Sequence, residues 1–536
     1  MALCTNPGAI GTVPEALDLT VQPGTRHHTL LTTNQPPEDS DTPFIQAVVS
    51  ESDPRLAYLE AEIAKLQDQL KPLEEERLSL LTYRAQNRAI LSPIRRIPPE
   101  ILSDIFWWTL PPIEDARQNA PYEAHNIPWL LTHISSRWRA ICIATPSLWS
   151  RIVVNYVEIH QMSRSRRPSS APHLALIATQ IQRSRKLKIH FYGSPEMDSR
   201  PQIQMFELLM QHSSRWEELS LGLTTEIFPL LISLHDRLPS LERLWVQWDG
   251  VENSSDKSLD CFQTVSSLVE FGVVNEFRDL PIHLPAPQLT RYELNGPWST
   301  HQHILRGAPN LVEAHIHIDF DLEIRSDSVI ELRRLRRLYI SDSTSTVLSV
   351  LKAPALEELA VFLVSDGQLD FLDCLRGFVD RSLCRLRRLC LRGFSEPHTT
   401  TQILNTFLSI TELVIIFATP HDVNALISAL CLTEGDILAP QLESLFFGCE
   451  TDEEDSDPDS NFDFTALPTM LKGRWEAENC ALEHAALMTH GNPPLDPLTL
   501  SGLHALRQDG LHFLLSENAR ELANAQNAWT YGSTWN

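Results

Sequence analysis

The sequence predicts an α+β multidomain protein in which an N-terminal helical region precedes a long array of repeated units that each contain a strand. Three observations predict this architecture. The chain has 536 residues, which is too long for one ordinary hydrophobic core. Apolar residues recur at helical spacing within residues 51–150. A short leucine-containing motif recurs from about residue 216 onward.

Residues 1–50 and 51–90 differ sharply in pattern. The first fifty residues mix Thr, Pro, Gly and Asp with few periodic apolar positions, which predicts a disordered tail. Residues 51–90 are predicted to form a heptad helix, because apolar residues alternate spacings of three and four. These residues are Leu56, Leu59, Ile63, Leu66, Leu70 and Leu73. Pro54 suits a first helical turn, whereas Pro72 is expected to kink or split the helix.

The apolar stripe of this helix has two open interpretations. It either forms a coiled-coil dimer or packs back against the next domain, and a run of about three heptads does not decide between the two.

Residues 91–150 contain two halves, separated by an insertion at about 109–128, that predict short amphipathic helices. Pro98 and Pro99 stop an incoming helix and preset a first turn. The apolar face that follows consists of Ile101, Leu102, Ile105 and Phe106. A second helix is predicted from three- and four-residue spacings that begin at Leu130 and reach Ile141, and Pro146 ends it.

This segment resembles an F-box, and is especially similar to the F-box-like families of mushroom-forming fungi. The pattern is a Leu/Ile-Pro-x-Glu-Ile/Leu-Leu helix start, then Ile-Phe, then a distal Trp-Arg and Leu-Trp. The matching residues are Ile97, Pro98, Glu100, Ile101, Leu102, Ile105, Phe106, Trp138, Arg139, Leu148 and Trp149. The resemblance implies that these residues bind a Skp-type adaptor, which links the chain to the cullin and RING subunits of an SCF-type ubiquitin ligase.

The repeated motif consists of Leu, two mostly polar residues, an apolar residue, any residue, and a second apolar residue. Its copies begin 21 to 32 residues apart, close to the period of leucine-rich repeats. They begin at Leu241, Leu268, Leu289, Leu311, Leu335, Leu356, Leu386, Ile410 and Leu442, and Trp216 begins a plausible earlier copy. Because one such unit cannot bury its apolar side alone, residues 151–480 are predicted to form an irregular leucine-rich-repeat α/β solenoid.

Alternation along each predicted strand defines a candidate binding surface. The two later apolar positions of the motif should point inward. The residues that alternate with them along the strand should lie on the outer, concave face. Aromatic and arginine side chains dominate interface energetics, so the predicted target-binding residues are Trp245, Arg337, Tyr339 and Arg388.

Residues 481–536 are predicted to form a C-terminal cap or tail, with helix-like stretches at 481–488 and 517–527. The acidic run at 450–463 predicts an exposed loop and lacks the central Gly and terminal Glu of a calcium loop.

Composition excludes several classes of function. A formal charge of -25 argues against nucleic-acid binding. Nine scattered cysteines without zinc-ligand spacing indicate a reducing compartment. The sequence shows neither a signal-peptide pattern nor an apolar run of membrane-spanning length, so a cytoplasmic or nuclear location without membrane contact is expected.

No nucleotide-binding, hydrolase or zinc-protease motif occurs in the sequence, which predicts a protein without enzymatic activity or cofactor. His301, His303, His315 and His317 form two His-x-His pairs on predicted strands, and solvent-facing histidines are favoured over a metal site. The expected function is therefore substrate recognition for a ubiquitin ligase, with an unidentified target protein. The alternative is an interaction scaffold without ubiquitin transfer.

Overall fold

The computed structural model describes thirteen stretches of the chain. They are residues 20–110, 127–156, 171–248, 258–275, 279–319, 328–341, 344–362, 371–393, 397–417, 421–431, 437–449, 464–489 and 496–516. The chain divides into two compact units, with the boundary between Pro99 and Glu100. This boundary lies inside the segment 91–150 that the sequence assigns to one module.

The first unit is helical. Helix α1 spans Arg26–Thr32, helix α2 spans Thr42–Ile90, and a 3-10 turn spans Pro93–Arg95. Both α1 and the first turns of α2 lie in the predicted disordered tail, so that prediction is wrong for residues 26–32 and 42–50, while residues 1–19 lie outside the described residues.

Helix α2 runs without interruption through Pro54 and Pro72, so the predicted split at Pro72 is also wrong. The strong helix formers on both sides of Pro72 explain the continuity. Leu, Lys and Glu flank it, and they offset the loss of one backbone hydrogen bond.

The second unit opens with three short helices and a 3-10 turn. They are α3 (Pro99–Trp108), α4 (Ile127–Ile134), α5 (Ser136–Ala144) and Pro146–Trp149. The single helix predicted from Leu130 to Ile141 is therefore two helices. Ser135 breaks it with an extended backbone, φ -158° and ψ 163°, and its side chain accepts the N–H of Trp138 as an N-cap. Most of the predicted insertion, residues 111–126, lies outside the described residues.

The rest of the second unit is built on one sheet of fourteen parallel strands whose order in space follows their order in the chain. The strands are β1 (Arg151–Asn155), β2 (Leu187–Tyr192), β3 (Trp216–Leu223), β4 (Arg243–Trp248), β5 (Glu270–Asn275), β6 (Arg291–Gly296), β7 (Glu313–Ile318), β9 (Arg337–Ser341), β11 (Glu358–Phe362), β12 (Arg388–Arg392), β13 (Glu412–Phe417), β14 (Ser444–Cys449), β15 (His484–Thr489) and β16 (His512–Ser516). Two short strands, β8 (Ile330–Glu331) and β10 (Leu351–Lys352), pair separately.

Helices and 3-10 turns connect the strands, as parallel pairing requires. The helices are α6 (Ala171–Arg183), α7 (Ser199–Met210), α8 (Phe228–Ile232), α9 (Trp298–Gly307), α10 (Thr344–Val350), α11 (Phe371–Ser382), α12 (Pro397–Thr406), α13 (His421–Leu430), α14 (Leu467–Glu476) and α15 (Pro497–Gln508). The 3-10 turns are Ser213–Arg215, Asp260–Phe262 and Ala286–Gln288.

Every motif copy, including the one at Trp216, forms a strand of this sheet, which confirms the repeat prediction. The two later apolar positions of each copy, such as Leu244 and Val246 in β4, are buried in one continuous core with side chains of the connecting helices. Alternation along the strands thus assigned the inward positions correctly.

The array extends beyond the predicted boundary at residue 480. Residues 481–488 were expected to be helical, but β15 occupies most of them and β16 follows it. The neighbouring strand β14 supplies the hydrogen-bonding edge that overrides the helix propensity of Ala, Leu and Glu there. The predicted helix at 517–527 lies outside the described residues.

Arginine side chains tie successive helical connections together. Arg215, Arg381 and Arg474 each donate to backbone carbonyls at the end of the preceding helical segment. Arg381 Nε reaches the Leu351 carbonyl at 3.0 Å, and Arg474 Nη1 reaches the Leu430 carbonyl at 3.0 Å. The bond to the Leu430 carbonyl and a bond from Arg381 Nη2 to the Leu348 carbonyl of α10 satisfy groups that a helix end leaves without an intrahelical partner, whereas Leu351 belongs to β10.

Candidate functional site

The predicted adaptor-binding residues divide into internal and external groups. Leu102, Phe106, Leu148 and Trp149 are buried. The ring of Phe106 lies 4.7 Å from the ring of Trp138, and the indole N–H of Trp149 donates to the Cys142 carbonyl at 2.8 Å. These side chains hold the helices together, so they act on any partner only through the shape of the module.

The external group forms apolar stripes on two helices. On α3, Ile101, Ile105 and Trp108 follow each other at four- and three-residue steps and are 50%, 41% and 84% exposed. On α4, Leu130 and Ile134 lie one turn apart and are also exposed. Large apolar side chains that remain open on small helices are typical of a docking surface.

The other predicted adaptor-binding residues differ in exposure. Pro98, Glu100 and Arg139 are exposed, whereas Ile97 and Trp138 are half-buried. Arg139 Nε donates to the carbonyl of Thr132 at 2.8 Å, which links α5 to α4.

The helices α3, α4 and α5 and the turn Pro146–Trp149 are called the helical module here. Arg183, at the end of the helix α6 that connects β1 to β2, packs against this module. Its guanidinium lies 4.7 Å from the ring centre of Trp129 and 4.4 Å from that of Trp149, and the two rings meet edge to face at 5.0 Å. Burial lowers the pKa of Arg183, which agrees with a cation held between aromatic faces. The module and the strands therefore form one structural unit.

A ladder of alternating charges runs across ten neighbouring strands, one residue per strand, at the first position of most of them. In order across the sheet its members are Lys188, Glu218, Arg243, Glu270, Arg291, Glu313, Arg337, Glu358, Arg388 and Glu412. Adjacent members are separated by 3.1 to 3.9 Å in every ion pair measured along the row.

Glu313 is the most enclosed carboxylate of the ladder, with 7% of its side chain exposed. Arg291, Arg337 and His315 contact it at 3.1, 3.1 and 2.9 Å. Burial raises the pKa of Glu313, but the His315 hydrogen bond and the two arginine charges outweigh it, so the pKa falls below its usual range.

Glu218 occupies a similar place near the start of the row. Burial raises its pKa, whereas His190, Lys188 and Arg243 lower it, and the resulting pKa is about 2. Glu218 and Glu313 are therefore held ionised by their neighbours.

The outer face of the sheet is defined by the strand residues that alternate with the core residues. Three of the four predicted target-binding residues, Arg337, Tyr339 and Arg388, line one small cleft on this face, and Trp245 lies elsewhere on it. Trp245 is half-exposed, whereas Tyr339 is only 4% exposed. Both arginines are members of the charge ladder, so their charges are already compensated by glutamates.

The outer face changes character across the sheet. From β9 to β15 it carries a second apolar cluster, separate from the main core, in which each member is at most 4% exposed. The members are Tyr339, Ala360, Cys390, Val414, Ile416, Phe446 and Ala486, and Phe362 packs against them.

The four histidines of the two His-x-His pairs lie on two different elements, because His301 and His303 lie on α9 and not on a strand, whereas His315 and His317 lie on β7. His301 and His315 are buried, which corrects the expectation that they face solvent. The Nε2 atom of His301 lies 3.2 Å from the His317 carbonyl and its Nδ1 lies 2.9 Å from the Tyr292 hydroxyl. Because a carbonyl only accepts, Nε2 carries the proton and Nδ1 accepts from Tyr292.

In the part of the chain that the structure describes, no group of three His, Cys, Asp or Glu side chains is placed to bind a metal ion. Among the described helices, none has both the length and the apolar character needed to cross a bilayer.

Neither a protein-family model nor a curated protein matches this sequence. Among solved structures, a crystal structure of a TLR13–ssRNA13 complex aligns with 56% of this chain and 44% of that chain, at 14% sequence identity and a TM-score of 0.29. Similarity at that level carries no argument about function, so the function rests on the geometry described above.

Two features of these surfaces were missed by the sequence interpretation. The charge ladder was visible as an alternation of sign between successive motif copies, because the third residue of the motif is Arg243, then Glu270, then Arg291, and so on. Trp107 and Trp108 were also overlooked, although both are exposed next to Ile105.

Proposed function

We propose that this chain is a non-catalytic recognition subunit of an SCF-type ubiquitin ligase, with an F-box that binds a Skp-type adaptor and a leucine-rich-repeat-like array that binds a target protein. The observation that carries the proposal is the apolar surface formed by Ile101, Ile105 and Trp108 on α3 and by Leu130 and Ile134 on α4.

The apolar surface supports adaptor binding because the module already has an internal core. Phe106 and Trp149 are buried, so the exposed residues are not needed to fill it. Each large apolar side chain that a partner covers contributes about 1.5–3 kcal/mol, and five such groups supply most of the free energy of a stable complex.

The outer face of the sheet supports target binding. It is continuous over fourteen parallel strands, it presents the half-exposed Trp245, and it contains the cleft between Arg337 and Arg388. Since the ladder glutamates compensate these arginines, the target must either compete for their charges or bind through apolar and aromatic contacts.

The attachment of the helical module to the array supports a joint role for the two surfaces. Because Arg183 lies against both Trp129 and Trp149, a partner on the module is held at a set distance from a target on the sheet. Ubiquitin transfer benefits from such placement, since a fixed geometry raises the effective concentration of target lysines near the ubiquitin donor.

Co-purification with a Skp-type adaptor tests the proposal. The full chain should retain the adaptor stoichiometrically, and Ile101→Asp should lose it because an uncompensated carboxylate would be buried at the interface. Leu408→Asp is the matched control: Leu408 is an exposed apolar residue on the array, and this variant should bind as the unmodified chain does.

Two outcomes would contradict the proposal. Failure of the unmodified chain to bind the adaptor would remove the F-box assignment. Adaptor binding without ubiquitin transfer to any co-purified protein, in a reaction that contains the cullin, the RING subunit and the ubiquitin-conjugating enzyme, would favour the scaffold function instead.

A further inference from the structure

We propose that α2 pairs with α2 of a second copy of this chain in a parallel, in-register coiled coil. This inference is independent of the proposed function, because it concerns only the helical first unit.

The exposure of the α2 stripe is the first observation. Six consecutive heptad positions from Leu56 to Leu73 hold Leu or Ile, and each of these side chains is between 41% and 62% exposed. No residue of α2 is buried. A continuous apolar stripe of this length, left open to water on a 49-residue helix, needs a partner helix.

The same heptad numbering can be continued on both sides of the six apolar residues, where Ser52, Arg77, Arg84 and Asn87 are polar seam residues. The a positions are Val49, Leu56, Ile63, Leu70, Arg77 and Arg84. The d positions are Ile45, Ser52, Leu59, Leu66, Leu73, Leu80 and Asn87. An apolar 3.5-residue repeat, continuous here from Leu56 to Leu73, is the pattern that makes two helices supercoil around each other.

Both internal prolines fall outside the seam. In this register Pro54 occupies an f position and Pro72 a c position, so their rings face solvent and do not separate the two helices. The missing backbone hydrogen bond at each proline therefore also lies away from the interface.

Charge complementarity favours a second copy in the parallel orientation. In that orientation g residues face e residues of the next heptad, so Arg55 pairs with Glu60 of the second copy. The following pairs, Glu62 with Gln67 and Gln69 with Glu74, contain no like charges. Each pair occurs twice by symmetry, so the flanks attract or are neutral throughout.

Two polar residues at the C-terminal end of the seam agree with this orientation, whereas Arg84 at an a position faces Arg84 of the second copy. Arg77 at an a position lies next to Glu76, a g residue, of the second copy, which compensates its charge. Asn87 at a d position faces Asn87, where a polar pair fixes register. In the antiparallel orientation that keeps the apolar layers together, Asp53 faces Glu74 and Arg55 faces Glu76, so one pair of like charges offsets one pair of opposite charges and the flanks give no net attraction.

The mass of the full-length chain in solution tests the proposal. Sedimentation equilibrium should give twice 60.8 kDa for the unmodified protein. Leu59→Glu combined with Leu66→Glu places two carboxylates in d layers and should raise the dimer dissociation constant at least about a hundredfold. The matched control is Ala61→Glu with Ala64→Glu, which adds the same charge at outer positions and should leave the dimer intact.

A cysteine cross-link tests the orientation. In the parallel arrangement Ser52→Cys faces its own copy and should form an intermolecular disulfide under mild oxidation, whereas in the antiparallel arrangement it faces position 77. A monomeric unmodified chain, or a dimer that survives the two leucine substitutions, would overturn the proposal. A dimer without the Ser52→Cys cross-link would overturn the parallel orientation.

Discussion

At the scale of single residues, the clearest consequence of burial is seen at His301. His301 lies on α9 and its side chain is fully buried. The imidazole donates to the His317 carbonyl and accepts from the Tyr292 hydroxyl. Burial lowers the pKa of His301 from 6.5 to about 4. The neutral ring is thus part of the folded structure, and protonation opposes folding.

We expect His301 to make stability pH-dependent. Because the folded-state pKa lies below the unfolded value, its contribution is complete above pH 6.5 and is lost as the pH falls toward about 4. The loss amounts to roughly 3 kcal/mol of unfolding free energy. Chemical denaturation at several pH values should show a shallower pH dependence for His301→Leu than for the unmodified chain.

His303→Leu provides the comparison, since His303 is exposed on the same helix. This variant should keep the pH dependence of the unmodified chain. An unchanged slope in His301→Leu would show that other groups account for the acid sensitivity.

Arg183 is the residue that joins the helical module to the array. Arg183→Ala removes a cation that lies against Trp129 and Trp149, and should destabilise the module by about 1–3 kcal/mol. Hydrogen exchange of the α5 amides should become faster in this variant. Arg185→Ala, an exposed neighbour, should leave the exchange unchanged, and equal rates in the two variants would contradict the role given to Arg183.

At the scale of secondary-structure elements, the charge ladder determines how the strands pair side by side. Each member lies opposite a residue of the other sign on the next strand, so a strand that shifted by one position would lose both neighbours. The ladder therefore specifies register as well as contributing ion pairs.

Removal of one buried carboxylate tests the contribution of the ladder. Glu313→Gln leaves Arg291 and Arg337 without their shared partner and should lower the free energy of unfolding by about 2–4 kcal/mol. Glu443→Gln, at an exposed pair 3.9 Å from Arg387, should cost less than about 0.5 kcal/mol. Similar effects in thermal or urea unfolding of the two variants would mean that the ladder adds little to stability.

How far the elements could be predicted depended on the type of signal. The strands were predictable because the motif alternates polar and apolar positions, and only one sheet face could then be buried. The end of one helix and the start of the next at Ser135 were not predictable, because the apolar spacing continues across this residue. Only the N-cap hydrogen bond of Ser135 marks the boundary. The strand at 484–489 was missed because its composition favours a helix, although Leu482, Ala485 and Leu487 repeat the motif spacing.

The sequence predicted where the candidate surfaces lie better than it predicted which of their side chains are exposed. The F-box resemblance named Ile101 and Ile105, which are exposed, together with Leu102 and Phe106, which are buried, because a family pattern mixes core and contact positions. Likewise, period-two alternation placed Tyr339 on the outer face but did not predict its burial, which depends on neighbouring strands.

At the scale of the whole molecule, the second unit carries both surfaces on which the proposed function depends. The helical module lies beside β1, the first strand of the sheet, and is attached there through Arg183. Fourteen strands at a spacing of about 4.8 Å give a path of roughly 60 Å across the outer face. The proposed target contacts lie within this path at the half-exposed Trp245 and at the cleft between Arg337 and Arg388, because the apolar cluster from β9 to β15 leaves its members at most 4% exposed.

The affinity of the purified chain for a purified Skp-type adaptor tests the central claim most directly. We expect calorimetric titration to give one adaptor per chain, with binding weakened at least about a hundredfold by Ile105→Asp and unaffected by Leu408→Asp. Absence of binding by the unmodified chain, or equal binding by Ile105→Asp, would contradict the claim that the exposed face of α3 is an adaptor-binding surface.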